Sequence, residues 1–174
     1  MKNKKNIIIA VLLIMACMIS SLQSADAAGY KSAYKNKISA IENDNPMHSI
    51  THKTIKVRGS KIPLLAISDR MTSDLDFVTF YVYSNGKLKE LATDNRSGGS
   101  VKKYKNYILV SSGHDSLECC ATLYKYSKGK LKKIKSYAEY DNEFTEEWTL
   151  VEQLEKKVCK KTKVKYKRFK KIGI

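Results

Sequence analysis

One block of this chain occurs twice. Phe80 to Leu91 (FYVYSNGKLKEL) is matched 43 residues later by Leu123 to Ile134 (LYKYSKGKLKKI), and at the same offset Leu64 to Ser68 (LLAIS) meets Tyr107 to Ser111 (YILVS). A constant register across two separated blocks marks an internal repeat, which restricts the chain to folds assembled from copies of one supersecondary unit. Each copy reads as a short buried strand, a variable loop and a β-hairpin. Asn85-Gly86 and Lys128-Gly129 supply the hairpin turns, where positive φ costs Gly least. Two such units predict an α+β fold: an antiparallel β-meander of two ~43-residue repeats and about six strands, with Val101 to Lys105 as an extra strand between them. A spacing near 43 is also that of propeller blades. Two copies cannot close a ring that needs about four or more, so a single chain cannot form a closed propeller.

Helical patterns flank the repeats. Tyr30, Ala33, Tyr34, Ile38 and Ile41 recur at three and four residues with Lys31, Lys35 and Lys37 between them, predicting an N-terminal amphipathic helix over 30–42. Asn43, Asp44, Asn45 and Pro46 end it. The following stretch, with His48 and His52, reads as a link into the sheet. Beyond Tyr140, Thr145, Glu146 and Glu147 precede Trp148, Val151, Leu154 and Val158, with Lys156, Lys157, Lys160 and Lys161 at the far end. Acids first and bases last suit a capped helix and its dipole. The rival reading makes 148–152 a strand, on the β preference of Trp, Thr and Val. Lys163 to Lys171 is then a basic strand or tail. The expected organisation is 1–27 a signal peptide, 28–46 helix and turn, 47–140 the repeat-built sheet, and 141–174 C-terminal helix and basic tail, with 28–174 one domain.

The first segment carries an address. Lys2, Lys4 and Lys5 precede an unbroken apolar run from Ile7 to Ile19, and a polar stretch then leads to Ala25-Asp26-Ala27. Small residues at Ala25 and Ala27 fit signal peptidase, so the mature chain is expected outside the cell. The run is shorter than the ~20 residues of a spanning helix, and no transmembrane span is expected in the mature chain. Ile14-Met15-Ala16-Cys17 is similar to a bacterial lipobox with an atypical Met, which makes lipidation at Cys17 and a lipid anchor the alternative to simple secretion. Loss of residues 1–27 removes three Lys and one Asp and lowers the formal net charge only from +16 to +14. The positive field therefore belongs to the folded part and attracts polyanions such as an anionic cell-wall polymer or a glycan. Only Arg58, Arg70, Arg96 and Arg168 among the basic residues are Arg. Bidentate grip on phosphates and guanine edges is thus scarce, and sequence-specific nucleic-acid recognition is not expected. The competing explanation is that Lys keeps the fold soluble and its sheet edges unpaired.

Candidate chemistry lies in three places. Lys103-Tyr104-Lys105 and Tyr124-Lys125-Tyr126 interleave aromatic rings with cations, a surface that stacks on sugars while neutralising phosphates. Tyr is also a good cross-strand partner, and Lys stems cover apolar surface. Ser112, His114, Asp115 and Cys119 are the near-sequence cluster of catalytic types, though a nucleophile there needs His114 within hydrogen-bond reach and a third group to orient it. The segment lacks a Gly-x-Ser-x-Gly elbow and reads more simply as a turn rich in Gly, Ser and Asp. His48 and His52 stand four apart. No Glu follows His48, and Ile50, Thr51, Thr54 and Ile55 oppose the helix such a zinc motif uses, so no metal set and no cofactor is expected. Cys119 and Cys120 would point to opposite faces of a strand, which leaves Cys119 or Cys120 to bridge Cys159, or all three as buried small hydrophobes. The residues predict a secreted, non-catalytic binding module at the cell envelope. The alternatives are a secreted hydrolase using the His114 loop and a module that pairs with a protein partner through a sheet edge. Nothing in the residues fixes the oligomeric state.

The leader, the Tyr/Lys-rich helix, the block Gly59 to Ala66 (GSKIPLLA) and the recurring Tyr-x-Tyr-x-x-Gly-Lys-Leu-Lys pattern resemble small secreted or lipoprotein-like proteins of Gram-positive bacteria with no established activity. The resemblance covers most of the mature chain and implies the same envelope location. Members of that group commonly carry an Asp-rich, calcium-loop-like segment before the first strand, distantly similar to loops of integrin-type propeller repeats. Lys56 to Lys61 occupies that place here without a carboxylate, so calcium does not carry over.

Overall fold

The computed structural model describes residues 29–72, 75–113, 118–140 and 147–174, except the side chains of Glu147 and Trp148. Helix α1 spans 29–44. Strands β1 (Ser49–Ile55), β2 (Leu64–Arg70), β3 (Asp76–Ser84) and β4 (Lys87–Asn95) follow, then β5 (Ser100–Tyr104), β6 (Tyr107–Ser112), β7 (Glu118–Ser127) and β8 (Lys130–Tyr140). Helix α2 (Glu147–Lys161), a 3-10 turn (Tyr166–Arg168) and β9 (Lys170–Ile172) complete the described chain. No helix among the described residues is long and apolar enough to cross a membrane.

The architecture is α+β, and all strand pairing is antiparallel. A single six-stranded meander does not form. The strands divide into a four-stranded sheet ordered β1-β2-β3-β4 and a five-stranded sheet ordered β8-β7-β6-β5-β9. The division falls at Arg96 to Gly99, where the Arg96 amide donates to the Asp76 carbonyl at 2.7 Å and the Gly99 amide to the Arg96 carbonyl at 2.7 Å. Gly99 packs so closely on the second sheet that a Cβ there would lie 1.8 Å from the Ser111 carbonyl oxygen, so the chain can turn this tightly only without a side chain. The stretch after Pro46 is a strand rather than a link, and the basic tail supplies β9.

Period-two alternation sends each strand's apolar residues to two different layers. Leu64, Ala66, Val78, Phe80 and Val82 of the first sheet meet Val101, Ile108, Val110, Tyr124 and Tyr126 of the second. On the outer face of the first sheet, Leu65, Ile67 and Tyr81 lie under α1 through Tyr34, Ile38 and Ile41. On the outer face of the second, Leu109, Cys119, Ala121 and Leu123 lie under Val151, Leu154 and Val158 of α2. The result is four layers, helix on sheet on sheet on helix. Because both faces of β2, β3, β6 and β7 are covered, these strands read as near-continuous apolar runs, and each fully buried Leu, Ile, Val or Phe contributes roughly 1.5–3 kcal/mol.

Residues 43 apart share local geometry. Asn85 (φ 54) and Gly86 (φ 72) form one hairpin turn, Lys128 (φ 50) and Gly129 (φ 73) the other. Both central residues have positive φ, the backbone of a type I′ turn, whose twist matches that of the flanking strands. The register of β3 on β4 slips after Phe80 and that of β7 on β8 after Leu123, which leaves Leu91 and Ile134 as the extra residues of the two bulges.

Two buried polar clusters pin the layers. Asp76, 1 % exposed, accepts hydrogen bonds from Ser68 Oγ at 2.6 Å and from the Arg96 guanidinium, which also donates to the Ile174 backbone oxygen at 3.0 Å. Glu155 of α2, wholly buried, accepts from Ser111 Oγ at 2.8 Å, from Tyr166 Oη at 2.7 Å and from Lys102 Nζ. Burying a carboxylate is costly unless it is paired and hydrogen-bonded, so these contacts fix how α2 and the loop after β4 dock.

Helix α2 ends in a Schellman motif: the Val164 amide donates to the Cys159 carbonyl at 3.0 Å and the Lys163 amide to the Lys160 carbonyl at 3.2 Å. The left-handed position is Lys163 (φ 58), where Gly is the usual residue. Replacing Lys163 by Gly relieves about 1–2 kcal/mol of left-handed strain and forfeits about 0.3–1 kcal/mol of charge–dipole attraction. The expected net gain is about 0.5–1 kcal/mol, seen as a melting temperature raised by roughly 2 °C in a thermal melt.

Candidate functional site

Where β1 ends and β9 begins, the space between the sheets opens into a cleft of about 620 Å³. Strand alternation explains its lining. Ile55 of β1 and Ile172 of β9 join the inter-sheet core, with Val101 of β5 opposite Ile172. Two residues along on the same faces stand Lys53, Lys170 and Lys103, so an apolar floor carries a cationic rim. Lys56, Lys105, Arg168 and Lys171 complete seven cations around Tyr104, and no carboxylate lines the cleft.

The charges are not neutralised from within. Among the described residues the ion pairs of Lys and Arg use other cations, namely Arg70, Arg96, Lys102, Lys156 and Lys157. Lys103 lies directly opposite Lys170 across the β5–β9 ladder. Like charges in that position destabilise a sheet. Tyr104 sits amid this field: Arg168 Nη1 donates to its hydroxyl at 2.8 Å, the Lys105 ammonium lies 5.3 Å and the Arg168 guanidinium 5.8 Å from the ring centroid, and Phe169 packs beside it at 5.9 Å. The hydrogen bond from Arg168 holds the Tyr104 hydroxyl below the usual phenol range, as a surplus of positive charge requires.

The residues singled out by the Tyr/Lys pattern separate. Lys103, Tyr104 and Lys105 line the cleft. Lys125 belongs instead to a second basic hollow at the β7–β8 hairpin, with Lys128, Lys130 and Lys132. Tyr124 and Tyr126, each 4 % exposed, face the inter-sheet core and donate to Asp94 Oδ2 at 2.9 Å and Ser60 Oγ at 3.2 Å, so they present no surface to a ligand. Sequence reasoning missed Lys53, Lys56, Arg168, Lys170 and Lys171, which reach the cleft from the end of β1 and from the stretch that runs from the 3-10 turn into β9, far apart in the chain.

His114 and Asp115 lie outside the described residues, and so does Cys17. Ser112 and Cys119 are buried on opposite faces of the second sheet, Cys119 under α2 and Ser112 toward the first sheet, so they cannot act on one substrate. No disulfide joins Cys119, Cys120 and Cys159. Cys119 and Cys159 share the cluster under α2, and burial pushes the Cys159 thiol up to about 11 and raises that of Cys120, which leaves neither a ready thiolate. His48 Nδ1 lies 2.8 Å from Asp69 Oδ1, and no group of His, Cys, Asp and Glu among the described residues is arranged to hold a metal. Compared with family profiles, with curated proteins and with solved structures, the chain matches none.

Proposed function

We propose that this chain is a non-catalytic binding module of the bacterial cell envelope, exported by residues 1–27, that holds an anionic polymer or glycan in the cleft between β1 and β9. The carrying observation is that seven cations line one cleft with no carboxylate among them. An anion bound there relieves the repulsion between Lys103 and Lys170 and lies beside the Tyr104 ring, which lines the same cleft. Lys, a hydrated point charge, suits loose multivalent adhesion along a polymer. The resemblance to small secreted Gram-positive proteins belongs to the same proposal.

The repeat enters the reading as well. Leu65 and Tyr81 lie under α1, whereas Ile108 and Tyr124, 43 residues on, lie between the sheets. We read the sheets as two copies of one unit stacked head to tail, with α1 and α2 covering the faces that further copies would take.

The test is co-sedimentation of the purified protein with isolated Gram-positive cell walls, with and without their anionic polymers. Screening reaches about 10 Å at 0.1 M salt, so retention is expected to fall steeply between about 0.05 and 0.5 M salt and to vanish when the polymers are stripped. Equal retention on stripped walls, or none at low salt, would overturn the reading.

A further inference from the structure

Strand β1 is an open edge. It pairs with β2 through all 7 of its residues without a register shift, and no strand among the described residues pairs with its other side. The phase of the ladder follows from its far end. The Met71 amide donates to the Leu75 carbonyl at 2.8 Å, so Met71 turns its backbone toward β3, and Arg70, Ser68, Ala66 and Leu64 turn theirs toward β1. Their partners Ser49, Thr51, Lys53 and Ile55 are therefore the β1 residues bonded inward. Ile50, His52 and Thr54 are left with N–H and C=O groups pointing out.

Natural sheets blunt such edges with Pro, bulges, short strands or charge. Here the sequence SITHKTI offers only Lys53, and Thr51 to Thr54 are exposed. The occupant follows from charge. Lys53 shares its face with Ser49 and Thr51 and overhangs the cleft, so side chains of an added strand on that face would look toward Lys53, Lys103 and Lys170. A second copy of this chain would bring its own large positive charge to that rim, whereas carboxylates complement it. On the opposite face Ile50 joins the apolar cluster under α1, which favours β-branched apolar residues in the alternate positions.

We propose that β1 takes up an extended acidic peptide as an added strand, with alternate carboxylates over the cleft and β-branched residues between them. The cleft's cations are shared with the reading above, but the inference rests on the strand edge.

The probe is the peptide Val-Glu-Val-Glu-Val-Glu-Val, and the readout is amide hydrogen exchange of the intact protein. Peptide is expected to slow exchange at Ile50, His52 and Thr54 by about tenfold or more, and to leave the already bonded Ser49, Thr51 and Lys53 unchanged. Alternate N-methylation of the peptide is expected to abolish the effect. His52→Pro removes one outward donor and spares the β1–β2 ladder, so it should weaken peptide binding by about tenfold without altering retention on cell walls. Peptide binding that leaves those three amides unprotected, or that survives N-methylation, would overturn the proposal, as would no binding. Protection of the three amides in a protein that ignores cell walls would uphold the strand edge and count against the polymer reading alone.

Discussion

Asp76→Ala is expected to destabilise the fold by about 3–5 kcal/mol, a large share of the roughly 5–15 kcal/mol that holds a typical domain together. Asp76 is buried at the start of β3, and its carboxylate is the one acidic side chain paired with the Arg96 guanidinium among the described residues, a guanidinium that is itself largely enclosed. Arg96 Nε already has no hydrogen-bond partner among the described residues. With Asp76 gone, a buried cation keeps only Ser68 Oγ at 2.8 Å and the Ile174 oxygen at 3.0 Å, and the turn that carries the chain between the sheets loses its anchor. Arg70 is the useful contrast. It meets the same carboxylate at 3.3 Å, but its side chain is 53 % exposed, so Arg70→Ala is expected to cost under about 1 kcal/mol. Urea unfolding of the two variants measures the difference directly, and equal midpoints would show that burial of the Arg96 pair carries no special weight.

The parts of the fold that are legible in the sequence are those decided locally. Asn85-Gly86 and Lys128-Gly129 announce their turns because positive φ selects the residue, and α1 announces itself because Tyr34, Ile38 and Ile41 fall on one face. What depends on partners distant in sequence is not legible. β1 escapes notice because an edge strand with a single buried residue shows no apolar alternation to detect. The parting of the sheets between β4 and β5 turns on Gly99 fitting against Ser111, a contact that no local pattern encodes. Tyr124 and Tyr126 looked like ligand-binding rings, yet alternation alone could not say which face of β7 would be covered by the other sheet. Only a small part of the cleft is legible: Lys103, Tyr104 and Lys105 are contiguous, whereas Lys170 meets them through the β5–β9 ladder and Lys53 only once the two sheets are stacked.

Neutralising the cleft is expected to abolish adhesion while sparing the fold. Each Lys near an anionic surface contributes about 1 kcal/mol, so Lys53→Gln, Lys103→Gln and Lys170→Gln together should weaken binding about a hundredfold. Stability should hold or rise slightly, because the substitution removes a like-charged cross-strand pair that costs roughly 0.2–1 kcal/mol. A residue set that costs stability when unliganded and binding when removed is what a site selected for a ligand displays. The matched control takes the same charge from the β7–β8 hairpin hollow, through Lys128→Gln, Lys130→Gln and Lys132→Gln. Both variants have the same net charge, so they separate a specific cleft from a diffuse field. The decisive measurement is therefore the retention of these two triple variants on polymer-bearing cell walls at one low salt concentration. A cleft that binds polymer predicts about a hundredfold loss for the first and less than about threefold for the second, whereas equal losses would contradict it and leave only the protein's overall charge at work.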